Sequence, residues 1–174
     1  MAGSFITIDI DSRQVIDTLG SLMSAMGDLT RPMREVGEYL LLSTDTRYRA
    51  EKAPDGTRWA PNADSTLLAY IRRKGGANAF SRRRTRTGGR TLNTRGTRAL
   101  AIKKILRDSG QLQDHIHYQA SATGVDVGTN EVYGATHQFG RGNIPARPFL
   151  GLSREDEMEV VEILRAHLRR IAGT

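Results

Sequence analysis

The stretch His115-Ile116-His117-Tyr118-Gln119-Ala120-Ser121-Ala122-Thr123-Gly124-Val125-Asp126-Val127-Gly128-Thr129 reads as a strand, a turn and a second strand. Its second half alternates apolar and polar residues, the period of a half-buried strand. Ala122-Thr123-Gly124 supplies the turn, so the spacing predicts a β-hairpin pairing 115–121 with 124–129. Downstream, Tyr133 to Phe139 predicts a short helix closed by Gly140, and Pro145 and Pro148 forbid a helix across Ile144–Leu150. Ser153 then opens a last helix, with Asp156 in the capping-box position. Val160, Val161, Leu164, Leu168 and Ile171 are expected to form its buried stripe. Acids early in that helix (Glu155, Asp156, Glu157, Glu159) and arginines late (Arg165, Arg169, Arg170) complement the helix dipole.

Upstream, Phe5-Ile6-Thr7-Ile8-Asp9-Ile10 predicts a first strand. Val15, Leu19, Leu22 and Met26 then line one face of a helix that Gly27 ends. Thr30 is expected to cap a second helix, with Pro32 tolerated in its first turn and a stripe of Met33, Val36, Leu40 and Leu41 running toward Tyr48. Two such helices joined by a short turn predict a helical hairpin, and its apolar face needs a sheet to cover it. The fold class is therefore α+β: an N-terminal helical hairpin and a C-terminal helix packed on a small antiparallel sheet. The length of 174 residues suits one domain.

Ala53-Pro54-Asp55-Gly56 is a turn signal that leads to Trp59, the single tryptophan. Its expected role is an anchor in a core or an interface, with ligand stacking as the rival. Asp64 caps a short helix, Ser65 to Arg73, stopped by Gly75-Gly76. Residues 74–98 are rich in Gly, Arg and Thr, with Phe80 and Leu92 as their large apolar side chains. Such a segment buries too little to offset its ordering entropy, which predicts a long mobile loop. Ala99 to Leu106 is apolar again, as a short helix or an extended piece, and Asp108-Ser109-Gly110 is a turn.

The net charge of +7 hides its distribution. Thirteen Lys and Arg, and no Asp or Glu, lie between Ile71 and Arg107; the remainder is net −6. Arg72, Arg73, Lys74, Arg82, Arg83, Arg84, Arg86, Arg90, Arg95 and Arg98 are the candidates for contact with a polyanion. Duplex phosphates fit better than single-strand stacking, since Phe80 is the segment's one aromatic. The rivals are a merely solvated loop and an acidic neighbouring subunit.

Other chemistries find little support. The absence of cysteine excludes disulfides, zinc–thiolate sites, iron–sulfur clusters and a Cys nucleophile. No run approaches the roughly 18 apolar residues of a membrane span, and Met1 to Asp11 lacks the basic start of a secretory signal. No GxSxG, P-loop or GxGxxG is present. His115 and His117, two apart on a strand, would share a face and could offer two metal ligands, but no third ligand shows suitable spacing. His137 lacks a nucleophile to activate, and His167, among arginines, reads as a surface residue. Asp9 and Asp11 are not read as a metal pair. No cofactor, metal or catalytic set is expected.

Four motifs occur in a fixed order: PDGxxW (Pro54 to Trp59), LRDSGQL (Leu106 to Leu112), YGATHQFG (Tyr133 to Gly140) and IPARPFLGLS (Ile144 to Ser153), with an amphipathic helix after them. In this the chain resembles the phage virion morphogenesis, or tail-completion, family, from about residue 10 to the end. The resemblance implies an α+β structural protein without catalytic residues, acting in the virion at the neck or the head-proximal end of the tail and assembled in the host cytoplasm. It implies a ring of copies, often six, with tail-tube, terminator or head–tail connector proteins as partners and packaged double-stranded DNA in reach. A ring needs heterologous interfaces, for which Trp59, Phe139, Arg147 and Phe149 are candidates. For the Ala146–Leu150 segment, packing within the chain is the rival reading. Two other functions stay open: a DNA-binding accessory protein using the basic segment, and an assembly factor absent from the finished particle.

Overall fold

The computed structural model describes residues 28–172 apart from 76 and 88, together with Arg13, Asp17 and Gly20, which are helical. The expected first strand and the stripe of Val15, Leu19, Leu22 and Met26 lie outside the described residues. The chain divides into two compact units, Met1–Trp59 with Gly110–Thr174, and Ala60–Ser109.

In the first unit, α1 spans Thr30–Ala50. Asp28, rather than Thr30, fixes its start: the Asp28 carboxylate accepts the Thr30 N–H at 2.8 Å and the Thr30 hydroxyl at 2.6 Å. Strands β1 (Phe80–Arg84) and β2 (Arg90–Leu92) belong to the second unit. The expected hairpin forms here as β3 (Ile116–Ala120) and β4 (Val125–Thr129), antiparallel with Tyr118 opposite Val127. Ser121 N–H to Gly124 O, at 2.8 Å, closes its turn. The hairpin lies on α1, and α1 packs on the C-terminal helix Arg154–Ala172. Leu29, Met33, Val36, Val160 and Leu164 form the core between them, with Leu40, Ala120, Val125, Ile163 and Leu168 at its margin. The helix-on-sheet α+β class is as expected from the patterns.

Gly37 explains how closely helix and hairpin approach. It sits in the middle of α1, where Gly costs about 1 kcal/mol relative to Ala. A Cβ there would lie 2.3 Å from the Tyr118 ring. The missing side chain is the space the ring fills.

Two expectations about the last helix need correction. Ile171 is 57% exposed and lies outside the buried stripe. His167 is 6% exposed, not a surface residue: it stands three positions after Leu164, on the buried side.

The second unit replaces the expected loop. Helix α2 covers Asp64–Gly75, a 3-10 turn covers Ala77–Ala79, β1 and β2 pair antiparallel, and α3 covers Thr94–Ala101. Asn93 ties these pieces together. Its carboxamide oxygen accepts the N–H groups of Arg95 (3.0 Å) and Gly96 (3.1 Å), its NH2 donates to Asn78 O, and its own N–H donates to Ala79 O. Close approach stands in for bulk. A Cβ on Gly96 would lie 2.3 Å from Ala79 O, and Ala79, Ala99, Tyr70 and Ile71 are buried.

Two shorter helices complete the described chain, α4 (Gln111–Asp114) and α5 (Gly134–Phe139), both in the first unit. The C-terminal helix is α6.

Candidate functional site

Three of the four motifs that carry the family resemblance build a frame in the first unit; the fourth, Leu106 to Leu112, runs across the boundary between the units. Ala53-Pro54-Asp55-Gly56 makes a tight turn, with Gly56 at φ +82°, Gly56 N–H on Ala53 O and Thr57 N–H on the Asp55 carboxylate. It returns Trp59 onto the end of α1, where Trp59 N–H meets Glu51 O at 2.9 Å. Trp59 meets Tyr48 edge-on at 5.2 Å between ring centres, and Tyr48 meets Phe149 at 5.7 Å. The Trp59 indole donates to Pro148 O at 2.7 Å. Trp59 and Phe149 are thus buried in an aromatic cluster within the chain. Burial raises the Tyr48 phenol.

Gln138, from YGATHQFG, holds the next motif in place. Its carboxamide oxygen accepts the N–H groups of Phe149 (3.0 Å) and Leu150 (3.1 Å), and its NH2 donates to Leu150 O at 2.9 Å. Arg147 N–H donates to His137 O at 2.7 Å. Gly140, at φ +76°, lets α5 turn directly against the segment, since a Cβ there would lie 2.9 Å from Ala146 N. Arg147 itself is 6% exposed. Burial, then the Arg147 charge, lowers the pKa of His137, whose Nδ1 is buried without a hydrogen-bond partner.

Beneath this lies a buried ion pair. Arg47 of α1 binds the Asp156 carboxylate, Phe149 O (3.2 Å) and the Ser43 hydroxyl (3.0 Å). Asp156 also accepts Ser43 Oγ–H at 2.5 Å, Tyr39 Oη–H at 3.1 Å and Ser153 N–H at 2.7 Å. Asp156 N–H donates to Ser153 Oγ, so the predicted capping box is present. Burial alone would raise the Asp156 carboxyl; the Ser43 and Ser153 hydrogen bonds and the Arg47 charge outweigh it and lower it. Burial and the Asp156 charge push Tyr39 up to about 12. A groove of about 350 Å³ is lined by this network, and its Tyr39, Ser43, Arg47 and Asp156 are already partnered with one another or with Phe149 O.

One corner of the frame is apolar and open. Phe139 at the end of α5 is 64% exposed and Val132 before it is 75% exposed; Tyr133 and Ile144 are exposed as well. Of the four interface candidates, Trp59, Arg147 and Phe149 are buried within the chain, and Phe139 points out.

The basic candidates all fall in the second unit, whose fifty residues carry thirteen Lys and Arg against Asp64 and Asp108, a net +11. Arg72, Arg73 and Lys74 end α2, Arg86 lies in the β1–β2 turn, Arg90 is in β2, and Arg95 and Arg98 are on α3; all seven are exposed. Arg73 pairs with Asp108 and sits 5.8 Å from the Tyr70 ring centre. Arg82, Arg83 and Arg84 stand in β1, where the backbone alone is described. Lys103 is used internally: its ammonium donates to Arg107 O at 2.9 Å and lies 5.1 Å from the Tyr70 ring centre.

His115 and His117 do not form a strand pair. His115 caps α4, before β3, and its Nδ1 lies 2.5 Å from Glu131 Oε1; His117 Nδ1 lies 3.2 Å from His115 O. Among the described residues no cluster of three His, Asp or Glu is placed to hold a metal ion. Nor is any described helix long and apolar enough to cross a membrane.

A braced frame, an open apolar corner and a cationic unit define a protein of macromolecular contacts. Residues 10–169 match the phage virion morphogenesis family, and the chain belongs to it, with a structural role in phage tail morphogenesis. It is 30% identical over 138 residues to the Mu-like prophage FluMu G protein 1 of Haemophilus influenzae, covering 79% of this chain and 78% of that one. It is 29% identical over 153 residues to tail completion protein S of Escherichia phage P2, covering 78% and 81%. FluMu G protein 2 of the same Haemophilus strain is 40% identical over 83 residues, which span 40% of this chain and 60% of that protein. No solved structure matches the chain significantly.

Proposed function

We propose that this protein completes the phage tail at its head-proximal end, as a non-enzymatic ring of copies joining the tail to the neck. The observation that carries the ring is the apolar corner of Phe139, Val132, Tyr133 and Ile144 on a frame that Gln138 and the Arg47–Asp156 pair hold still. Large apolar side chains fixed on a rigid support suit a heterologous contact between copies. Trp59, Arg147 and Phe149 contribute to that contact from behind, by fixing the segment that follows α5. Tail-tube, terminator or connector proteins are the outer partners, and the second unit's cations face a polyanion. The virion neck is the site of action.

The test is Phe139→Asp in complementation of a phage lacking this gene. The proposal expects a folded protein that stays monomeric in light scattering and leaves tails incomplete. Normal oligomers and normal infectious yield would contradict it. A second reading, a DNA-binding accessory or assembly factor, is favoured by the charge of the second unit alone; mass spectrometry of purified virions separates it, since an accessory factor would be missing from them.

A further inference from the structure

We infer that the β1–β2 hairpin and α3 of the second unit form a sequence-independent grip on the phosphate backbone of duplex DNA. The starting point is a conflict inside the hairpin. Its register sets Arg84 opposite Arg90, and Arg82, Arg83 and Arg86 stand close in sequence. Like charges directly opposed across a sheet are destabilising. The pairing persists in a unit with two acids, and Asp108, one of them, is already engaged with Arg73 and Lys103. An external anion would relieve the repulsion.

The chemistry around those cations is that of phosphate contact. Arg95 and Arg98 lie three apart on α3, so they neighbour one another on an exposed strip beside the buried Gly96 and Ala99. Between hairpin and helix runs an open groove of about 700 Å³, lined by Ser81, Thr91, Asn93, Thr94, Thr97 and Arg98 among others. Arginines with short hydroxyl side chains are the groups that contact phosphate oxygens and fix register on a duplex without reading sequence. No exposed aromatic interleaves them among the described residues: Tyr70 is buried and Phe80 half-buried. That removes the stacking platform a single strand needs.

A protein partner fits less well. Five of the first unit's seventeen acids are paired with its own cations: Asp156 with Arg47, Asp45 with Arg49, Glu162 with Arg169, Glu35 with Arg31 and Arg170, and Glu131 with His115. The first unit of a second copy carries a formal net charge of −4, small against the +11 of this unit. A duplex offers one charge about every 1.7 Å of its axis.

The test uses the full chain and a fluorescent duplex of arbitrary sequence, titrated at several salt concentrations. We expect binding at low salt, equal for unrelated sequences, with a slope of log affinity against log salt of about −0.9 per phosphate neutralised. The variant R86Q/R90Q/R95Q/R98Q should flatten that slope by about 3 to 4, with a melting temperature that does not fall, since losing Arg90 relieves its opposition to Arg84. The matching four Arg→Lys changes should restore it. No binding at low salt, or an unchanged slope in the Gln variant, overturns the grip. So does tighter binding to oligo-dT, and so does displacement of duplex by polyglutamate at equal charge, which would assign the surface to an acidic protein. Oligomeric state and tail completion are measured separately, so loss of the grip leaves the tail-end reading standing.

Discussion

The two units treat charge in opposite ways. In the first, Arg47 and Asp156 are buried together, and each is held by further hydrogen bonds to Ser43, Tyr39, Ser153 and Phe149. In the second, seven described arginines and lysines on helix ends, a turn and a strand are exposed, and the hairpin register opposes two arginines. A charge buried with its partner fixes geometry, and its loss leaves the other charge stranded. An exposed cation contributes little to folding. The charges of the first unit are therefore read as scaffold, behind its apolar corner, and those of the second as contact surface, and charge substitutions should divide along that line.

Removing Asp156 is the largest expected effect. Asp156→Ala should cost about 3–5 kcal/mol, because Arg47 is left buried and unpaired; denaturant unfolding measures it. Gln138→Ala comes next. It leaves the buried N–H groups of Phe149 and Leu150 without an acceptor, at about 1–3 kcal/mol each. Hydrogen exchange of those two amides reports it directly.

Gly96→Ala brings the second unit under the same test. Its Cβ would collide with the Ala79 carbonyl, so about 1–3 kcal/mol of overpacking is expected. Faster exchange should be confined to Ala60–Ser109. The pH effect is smaller. His137 titrates below its ordinary value of 6.5, so the unfolded chain takes up its proton first as pH falls. Its share of stability is full above about pH 6.5 and declines below that until the folded imidazole also protonates. The Asp156 share is lost later, as pH falls below the ordinary carboxylate range. Histidine NMR shifts followed against pH check the first step. The smallest effect is expected at the arginines of the β1–β2 hairpin. Neutralising Arg82, Arg83, Arg84 and Arg86 should change stability by less than about 0.5 kcal/mol while lowering the yield of infectious particles.

The same division marks what could be read in the sequence. The β3–β4 hairpin, α1, α5 and the capping box at Ser153–Asp156 follow from alternation, helical spacing and cap chemistry, all of which are local. The frame's motifs were visible, but their joining was not: Gln138 reaches across a loop to Phe149 and Leu150, and nothing in its neighbours announces this. The order of the second unit is not legible in the sequence because its packing rests on Ala79, Gly96 and Ala99, too small to register as apolar content. Asn93 ahead of Thr94-Arg95-Gly96 was the available signal, an N-cap whose carboxamide closes the turn. The arginines around His167 point to the surface, but its spacing from Leu164 places it inward.

Cryo-electron microscopy of intact particles, focused on the neck, tests the central claim most directly. The account predicts a ring of this chain between capsid and tail, with Phe139 against a neighbouring copy and the second unit's arginines turned to density for DNA. Particles that keep their neck and show no density for this chain would contradict it.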